Sequence, residues 1–203
     1  MPTLIDFIRH GEPEGGRRYR GHRIDDPLST RGWGQLWAAV PDQAPWQGII
    51  SSPLLRCRAF AERLSQRHGL PLAIEPDFRE VGFGCWEGLS PDQVAEQQPQ
   101  AYAAFYQDPL RNRPEGAEDL EGFSQRVSTA LERAVERHAG EHLLVVAHAG
   151  VIRAVLGLAL QAPPSAWYRA RIDTAGISRF RRDENGPEPG GIRLEFHNRQ
   201  GLD

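Results

Sequence analysis

The chain of 203 residues contains no lysine, so all 24 of its basic side chains are arginines. This absence excludes mechanisms that need a lysine, among them the P-loop phosphate lysine, Schiff-base catalysis and the kinase strand lysine. With 27 acidic side chains the formal charge is −3, which argues against a nucleic-acid-binding surface built on bulk positive charge. Arginine is therefore the cationic side chain with which this protein would bind an anion.

Cysteines and long apolar runs are also scarce. Cys57 and Cys85 are the two cysteines, and without a C-x-x-C spacing they disfavour a disulfide framework or a cysteine-rich zinc site and fit a reducing compartment. No window approaches the roughly 18 apolar residues that a membrane span requires. The first residues, MPTLIDFIRHGE, lack the pattern of a signal peptide. The sequence thus predicts a soluble, cytoplasmic protein.

Short apolar runs alternate with amphipathic stretches along the chain, and 39% of the residues are hydrophobic, enough for a sizeable core. The predicted strands cover residues 3–8, 48–50, 72–74, 143–147, 176–181 and 192–196. The predicted helices begin near Ser29 and at Ser52-Pro53, and cover 91–108 with a break at Pro99, 120–137 and 151–160. The alternation predicts a single α/β domain over residues 1–203, a three-layer α/β/α sandwich with a mainly parallel sheet.

Polar side chains stand at the ends of three predicted strands. Arg9 and His10 follow the first strand, Arg56 lies at the start of the helix after the second, and His148 follows the strand LLVVA. Because ligands of open α/β sheets bind beyond the carboxyl ends of the strands, we expect these four residues to converge.

The chemistry of these groups suits a phosphate. A guanidinium matches phosphate oxygens bidentately, and a helix that begins at Ser52-Pro53 would add backbone donors. A histidine that is largely neutral at physiological pH can attack phosphorus while nearby cations neutralise the equatorial oxygens. One histidine would attack and the other would donate a hydrogen bond.

Phosphoryl transfer also needs a proton for the leaving oxygen. The glycine-rich segment 78–88, which we interpret as a structured loop, supplies the carboxyl groups of Glu80 and Glu87. The residue pattern leaves open which of the two is the proton donor.

Four segments together resemble the histidine phosphatase, or phosphoglycerate-mutase-like, superfamily. Arg9-His10-Gly11-Glu12 resembles its signature, and residues 51–56 (SSPLLR), 80–88 (EVGFGCWEG) and 147–150 (AHAG) resemble its later blocks in the same order. The resemblance implies that His10 becomes transiently phosphorylated and that Glu80 is the general acid and then the base. It implies no metal or cofactor. The residues it assigns to the phosphoryl group are Arg9, His10, Arg56, His148 and Ala149.

Departures from the family pattern bear on the reaction and the substrate. Gly16 stands where many relatives have a phosphate-contacting asparagine. The third block lacks the glutamate-arginine-histidine-tyrosine-glycine form of the mutases, which favours hydrolysis over phosphoryl shuttling.

The segments around His10-Gly11-Glu12-Pro13 and Tyr19-Arg20-Gly21 most resemble the α-ribazole phosphatase branch of cobalamin synthesis. In this family a cap-like insertion, here at about 90–120, covers the pocket. The expected substrate contacts are Arg20, Gly21, Tyr102, Arg111 and Glu118, with Tyr106 and Arg113 as further candidates.

Several alternatives stay open at this point. They are a broad-specificity or sugar-phosphate phosphatase, a phosphoglycerate-type mutase and, from a different class, a phospho-ligand-binding protein without catalysis. Cys57 and Arg63 have the spacing of cysteine-dependent phosphatases, but the intervening residues predict a helix rather than a phosphate loop. The expected partner is a small phosphorylated metabolite, with no nucleic acid and no membrane, for a monomer or homodimer.

Overall fold

The computed structural model describes residues 1–183 and 191–202 and contains a six-stranded sheet in the order β3-β2-β4-β1-β5-β6. The strands are β1 (Thr3–Arg9), β2 (Gly48–Ser51), β3 (Leu72–Ile74), β4 (His142–Ala147), β5 (Ile177–Arg182) and β6 (Ile192–Arg199). The first four pair in parallel, while β5 and β6 add an antiparallel edge. The prediction of a mainly parallel sheet is confirmed. Of the turn expected at 183–191, residues 184–190 lie outside the described residues.

Helices cover both faces of the sheet. They are α1 (Thr30–Ala39), α2 (Leu55–His68), α3 (Pro91–Gln97), α4 (Pro99–Gln107), α5 (Leu120–Arg137) and α6 (Ala149–Leu160). One core layer joins α5 and α6 to one face, and α1 and α2 pack on the other. Along β4 the side chains alternate between the layers: Val145 belongs to the first and Val146 to the second. The three-layer α/β/α prediction is therefore confirmed.

The second predicted helix begins later than its sequence suggests. Ser52-Pro53 reads as an N-cap followed by proline, but α2 starts at Leu55 and its N-cap residue, Leu54, makes no side-chain cap. The Ser52 hydroxyl accepts the backbone N–H of Leu54 over 3.3 Å and also lies 2.7 Å from Nε2 of His148. The local contact predicted for Ser52 is therefore present, but the helix itself begins two residues later.

The segment between the third block and α5 lies over the carboxyl edge of the sheet. It contains α3 and α4, separated at Pro99 as predicted, and it brings Pro91 and Tyr106 to the main cavity. Within the described ranges, no helix has the length and apolar character needed to cross a membrane.

Candidate active site

A cavity of about 730 Å³ opens at the carboxyl ends of β1 and β4. Eight arginines and three carboxylates line it: Arg9, Arg17, Arg18, Arg20, Arg56, Arg153, Arg169 and Arg171, with Glu12, Glu80 and Asp173. The excess of cations predicts an anionic ligand.

Strand β1 delivers Arg9 and His10 to this cavity. The strand ends at Arg9, and the backbone N–H of His10 donates to Ala147 at the end of β4, which joins the two strand ends. The next position, 11, has to be a glycine. A Cβ atom there would lie 2.1 Å from the carbonyl oxygen of Gly32, at the start of α1. Only a residue without a side chain lets the chain turn here beneath the helix.

The ring of His10 is oriented by its neighbour. Its Nδ1 lies 2.7 Å from the carbonyl oxygen of Gly11. Because a carbonyl can only accept, Nδ1 carries the proton, and in the neutral ring Nε2 keeps its lone pair. The geometry therefore leaves the Nε2 lone pair of the neutral ring free.

His148 and Arg56 complete the group that the sequence predicted to converge. The rings of His10 and His148 lie 5.2 Å apart between centroids. Arg56, 1% exposed, is held by the carbonyl oxygens of Ile24 and Gly21. His148 is fully buried behind the cavity lining, with its Nε2 against Ser52.

Burial and positive charge keep both histidines neutral. Burial lowers the pKa of His10 well below its usual range, and the charges of Arg56 and Arg9 lower it further. The pKa of His148 is lowered by burial, Arg56 and His10. Burial and the charge of Arg153 lower the pKa of Arg9 to about 10, so Arg9 remains a cation at neutral pH.

Two buried guanidinium atoms lack partners within the part of the chain that the structure describes. They are the Nε atoms of Arg9 and Arg56. Each guanidinium is otherwise anchored, Arg9 to the carbonyl oxygen of Ile172 and Arg56 to the two carbonyl oxygens named above. Buried donors of this kind normally have a partner, and both side chains line the cavity where a phosphate would supply one.

The structure distinguishes Glu80 from Glu87. Glu80 lines the cavity, and its carboxylate accepts hydrogen bonds from the N–H groups of Val81 and Gly150. Glu87 instead accepts from the N–H groups of Arg23 and Phe83, which fixes the loop. The position of Glu80 fits the acid role that the family resemblance implies.

The helix N-terminus at the cavity is that of α6, two residues earlier than its predicted start. Ala149 and Gly150 both line the cavity, whereas at the start of α2 the N–H of Leu55 donates to Asp25. Ala149 and Gly150 thus bring a helix start to the cavity, where the N–H of Gly150 donates to Glu80, whereas Ser52 and Pro53 are not among the described lining residues.

The predicted substrate contacts divide into two groups. Arg20 and Gly21 line the cavity, and Arg20 is held by Asp26 and by the carbonyl oxygens of Glu14 and Gly16. The described cavity lining does not include Tyr102, Arg111 or Glu118.

Each of these three residues has a structural contact that sequence reasoning did not foresee. Tyr102 packs against Trp86 and Tyr106, Arg111 is exposed beside Asp108, and Glu118 pairs with Arg126. Arg113 likewise donates to the carbonyl oxygen of Gly82. Tyr106, which was also predicted as a candidate substrate contact, does line the cavity.

Sequence reasoning missed several lining residues, among them Arg153 and Tyr168. Arg153 lies five residues after His148 on α6 and stacks over the Tyr168 ring at 5.2 Å. A spacing of five residues does not place two side chains on the same face of a helix, so no local pattern pointed to Arg153. No local pattern pointed to Tyr168 either, because its position depends on how the segment after α6 folds back.

Two alternative chemistries find no support in the described residues. Cys57 lies buried inside α2, where burial raises the pKa of its thiol, so the helix between Cys57 and Arg63 forms no phosphate loop. Among residues 1–183 and 191–202, no cluster of three or more histidine, cysteine, aspartate or glutamate side chains could hold a metal ion.

Comparison with known proteins identifies the family. The model of the histidine phosphatase superfamily (branch 1) matches residues 5–193. The chain is 34% identical over 182 residues to a bifunctional protein of Mycobacterium tuberculosis, covering 87% of this chain and 50% of that protein. It is 28% identical over 171 residues to the adenosylcobalamin/alpha-ribazole phosphatase of Salmonella typhimurium, covering 82% and 84%.

A further relative and a solved structure agree with this match. The metal-independent phosphoserine phosphatase of Arabidopsis thaliana is 33% identical over 162 residues, covering 75% of this chain and 67% of that protein. The alpha-ribazole phosphatase structure from Shigella flexneri superposes with a TM-score of 0.80 at 25% identity, covering 98% of each chain.

These matches define the class of the protein. The chain belongs to branch 1 of the histidine phosphatase superfamily. It spans about half the length of the first curated relatives that it matches.

Proposed function

We propose that this chain is a metal-independent phosphomonoesterase that works through a phosphohistidine at His10. The observation that carries the proposal is the hydrogen bond between Nδ1 of His10 and the Gly11 carbonyl oxygen, because it leaves the Nε2 lone pair free. The lowered pKa of His10 supports it further, since only the neutral ring is a nucleophile.

In the first step, Nε2 of His10 attacks phosphorus and the bond between phosphorus and the ester oxygen breaks. Glu80, in its protonated form, gives its proton to the departing oxygen, so that an alcohol leaves. Arg9 and Arg56 stabilise the charge on the equatorial oxygens. His148, packed against His10, supports the same group.

In the second step the phosphohistidine is hydrolysed. The Glu80 carboxylate takes a proton from water, the oxygen of that water attacks phosphorus, and the bond between phosphorus and Nε2 breaks. Inorganic phosphate leaves, and His10 and protonated Glu80 are restored. The N–H groups of Val81 and Gly150 hold the carboxylate in place for both proton transfers.

As the specific substrate we propose α-ribazole 5′-phosphate, which would place the enzyme in cobalamin synthesis. The names of the relatives from Salmonella typhimurium and Shigella flexneri support this choice. The cavity volume of about 730 Å³ fits a small phosphorylated metabolite of this kind. We place this reaction in the cytoplasm.

The test is phosphate release, in the presence of EDTA, from a panel of phosphomonoesters. It contains α-ribazole 5′-phosphate, phosphoserine, 3-phosphoglycerate, fructose 2,6-bisphosphate, nucleotides and phosphopeptides. A preference for α-ribazole phosphate supports the specific proposal, and a flat profile across the panel supports a broad-specificity phosphatase. Stoichiometric binding without release would identify a binding protein, and transfer to an acceptor other than water would identify a mutase.

The intermediate is tested by rapid quenching with radiolabelled substrate. We expect an alkali-stable, acid-labile phosphoenzyme in the wild type and none in His10→Ala, which should also lose turnover. His138→Ala is the matched control, because His138 lies at the end of α5 and pairs with Glu141. Near-normal turnover in His10→Ala would contradict the scheme.

A further inference from the structure

The loop that carries Glu80 is held from behind by α5. Arg126, in the middle of that helix, donates to the carbonyl oxygens of Asp77, Arg79 and Glu80. The hydrogen bonds from Arg126 to the carbonyl oxygens of Arg79 and Glu80 measure 2.9 and 3.2 Å. One guanidinium thus fixes the backbone on the N-terminal side of the Glu80 side chain.

Glu118 fixes the other side of the same residue. Its Oε2 accepts the backbone N–H of Gly82 at 3.1 Å, while Arg126 donates to both carboxylate oxygens, at 2.7 and 2.9 Å. Arg113 donates to the carbonyl oxygens of Gly82 and Glu118. The Arg126–Glu118 ion pair therefore forms hydrogen bonds with the backbone at residues 77, 79, 80 and 82.

This ion pair is largely shielded from water. The Arg126 side chain is 11% exposed and that of Glu118 is 17% exposed. Burial alone would raise the pKa of Glu118, but the hydrogen bonds from Arg126 and Gly82 lower it below its ordinary value. The pair is therefore ionised at neutral pH, and both charges are used to hold backbone.

Neither residue lines the cavity. Arg126 and Glu118 touch the loop and not the space in which a substrate would bind. Their contacts reach the site through the backbone around Glu80, and the charge of Arg126 in addition helps to lower the pKa of His148.

We propose that the Arg126–Glu118 pair is a positioning device that sets the Glu80 carboxyl group for proton transfer. The inference rests on the acid role of Glu80 in the proposed function. It gives Glu118, expected from the sequence to contact the substrate, a different part in the same reaction.

The proposal makes a prediction that depends on the leaving group. A nitrophenolate leaves readily without a proton, whereas an alkoxide needs one, so displacement of Glu80 should slow the two esters unequally. In Arg126→Gln we expect kcat for an alkyl phosphate to fall roughly 10- to 100-fold and kcat for p-nitrophenyl phosphate to fall less than about 3-fold.

Arg133→Gln is the matched control. Arg133 lies two turns further along α5 and contacts the side chains of Glu75 and Asp77, but it makes none of the carbonyl contacts that fix Glu80. The same substitution on the same helix should leave the ratio of the two rates unchanged.

A double-mutant cycle with Glu80→Gln separates positioning from general destabilisation. If Arg126 acts through Glu80, adding Arg126→Gln to Glu80→Gln should change the alkyl phosphate rate by less than about 3-fold. Equal losses for both esters in the single variant, or a full additional loss in the double variant, would overturn the proposal. If Arg126→Gln does not fold, Glu118→Gln, which keeps the shape of the side chain, carries the same test.

The outcomes also separate this inference from the proposed function. Glu80→Gln without any leaving-group dependence would reject the acid role of Glu80, and the positioning role with it. A selective loss in Glu80→Gln that is absent from Arg126→Gln and Glu118→Gln would reject the positioning role alone.

Discussion

Oε1 of Glu80 accepts a hydrogen bond from the backbone N–H of Gly150 over 3.1 Å, and a Cβ atom on Gly150 would lie 2.2 Å from the same oxygen. The missing side chain at position 150 therefore lets the carboxylate reach the first turn of α6. The glycine of the AHAG block thus has a steric role in placing the Glu80 carboxylate.

Gly150→Ala should displace the Glu80 carboxylate with little effect on folding, because the clashing atom is the end of a flexible side chain. We expect kcat for an alkyl phosphate to fall about 10-fold or more, and kcat for p-nitrophenyl phosphate to fall much less. Steady-state kinetics and thermal unfolding measure both effects. The control is Gly34→Ala. Gly34 is an exposed residue of α1, and a Cβ atom added there meets nothing within 4 Å. A wild-type rate for the alkyl ester in Gly150→Ala would contradict this account.

The ring signals of His10 should not titrate near pH 6.5. Burial and the charges of Arg56 and Arg9 lower its pKa well below the ordinary value, so the neutral ring persists as pH falls through 6.5. NMR of ¹⁵N-labelled protein between pH 5.5 and 8 measures this, with His10→Asn to assign the signals and urea-unfolded chain as reference. A midpoint near 6.5 in the folded protein would show that the ring is not desolvated.

The same lowered pKa values couple stability to pH. Between the folded and unfolded pKa values the unfolded chain binds more protons, so the stability supplied by neutral His10 and His148 is lost as pH falls below about 6.5. The free energy of unfolding should fall by on the order of 1 kcal/mol per histidine for each pH unit below that value. Urea unfolding at pH 7.5 and 5.5 measures it, and His148→Asn should reduce the difference. An equal difference in wild type and variant would refute this linkage.

Asp6→Ala should destabilise the fold without changing the chemistry. Asp6 is fully buried on β1 and accepts hydrogen bonds from Arg179, Trp46 and His142. Removing it leaves buried donors without their acceptor, at a cost of about 3 kcal/mol in the free energy of unfolding. Urea unfolding measures this cost. The turnover number at 25 °C should persist, because Asp6 does not line the cavity.

The control for Asp6→Ala is Glu195→Ala, which removes a partly exposed carboxylate 3.8 Å from Arg181 and should cost less than about 1 kcal/mol. Burial would raise the pKa of Asp6, but hydrogen bonds led by those from His142 and Arg179 lower it. The stabilisation is therefore present above about pH 4, the unfolded value, and is lost as pH falls through the lower folded pKa. A variant as stable as the wild type at pH 7 would contradict the role of this network.

Phosphate analogues should inhibit competitively. Eight arginines against three carboxylates line the cavity, and the buried Nε atoms of Arg9 and Arg56 lack partners among the described residues. We expect vanadate and inorganic phosphate to raise the apparent KM with unchanged kcat, and added salt to weaken this inhibition. Noncompetitive inhibition would place the anion site elsewhere. Sodium chloride alone at matched ionic strength is the control.

Much of the fold was predictable because its signals are local. The five apolar residues LLVVA predict a strand covered on both faces, and β4 lies between two core layers. The apolar period from Leu120 to Arg137 predicts α5 with the bounds observed. The predicted start of α2 was wrong by two residues: the helix begins at Leu55, and the Ser52 hydroxyl is shared between the N–H of Leu54 and the ring of His148, 96 residues away.

The sequence by itself determined which polar groups meet at the sheet edge, since Arg9, His10, Arg56 and His148 lie at strand ends or at a helix start, and parallel strands bring those ends to one edge of the sheet. Tertiary structure alone decided the rest. The residue pattern does not distinguish Glu80 from Glu87, whereas the tertiary structure brings Glu80 to the cavity and to the N–H of Gly150 and turns Glu87 to the N–H groups of Arg23 and Phe83. Glu118 likewise turns to Arg126 rather than to the cavity. The orientation of loop side chains depends on which distant backbone groups pack beside them, and no local pattern encodes that.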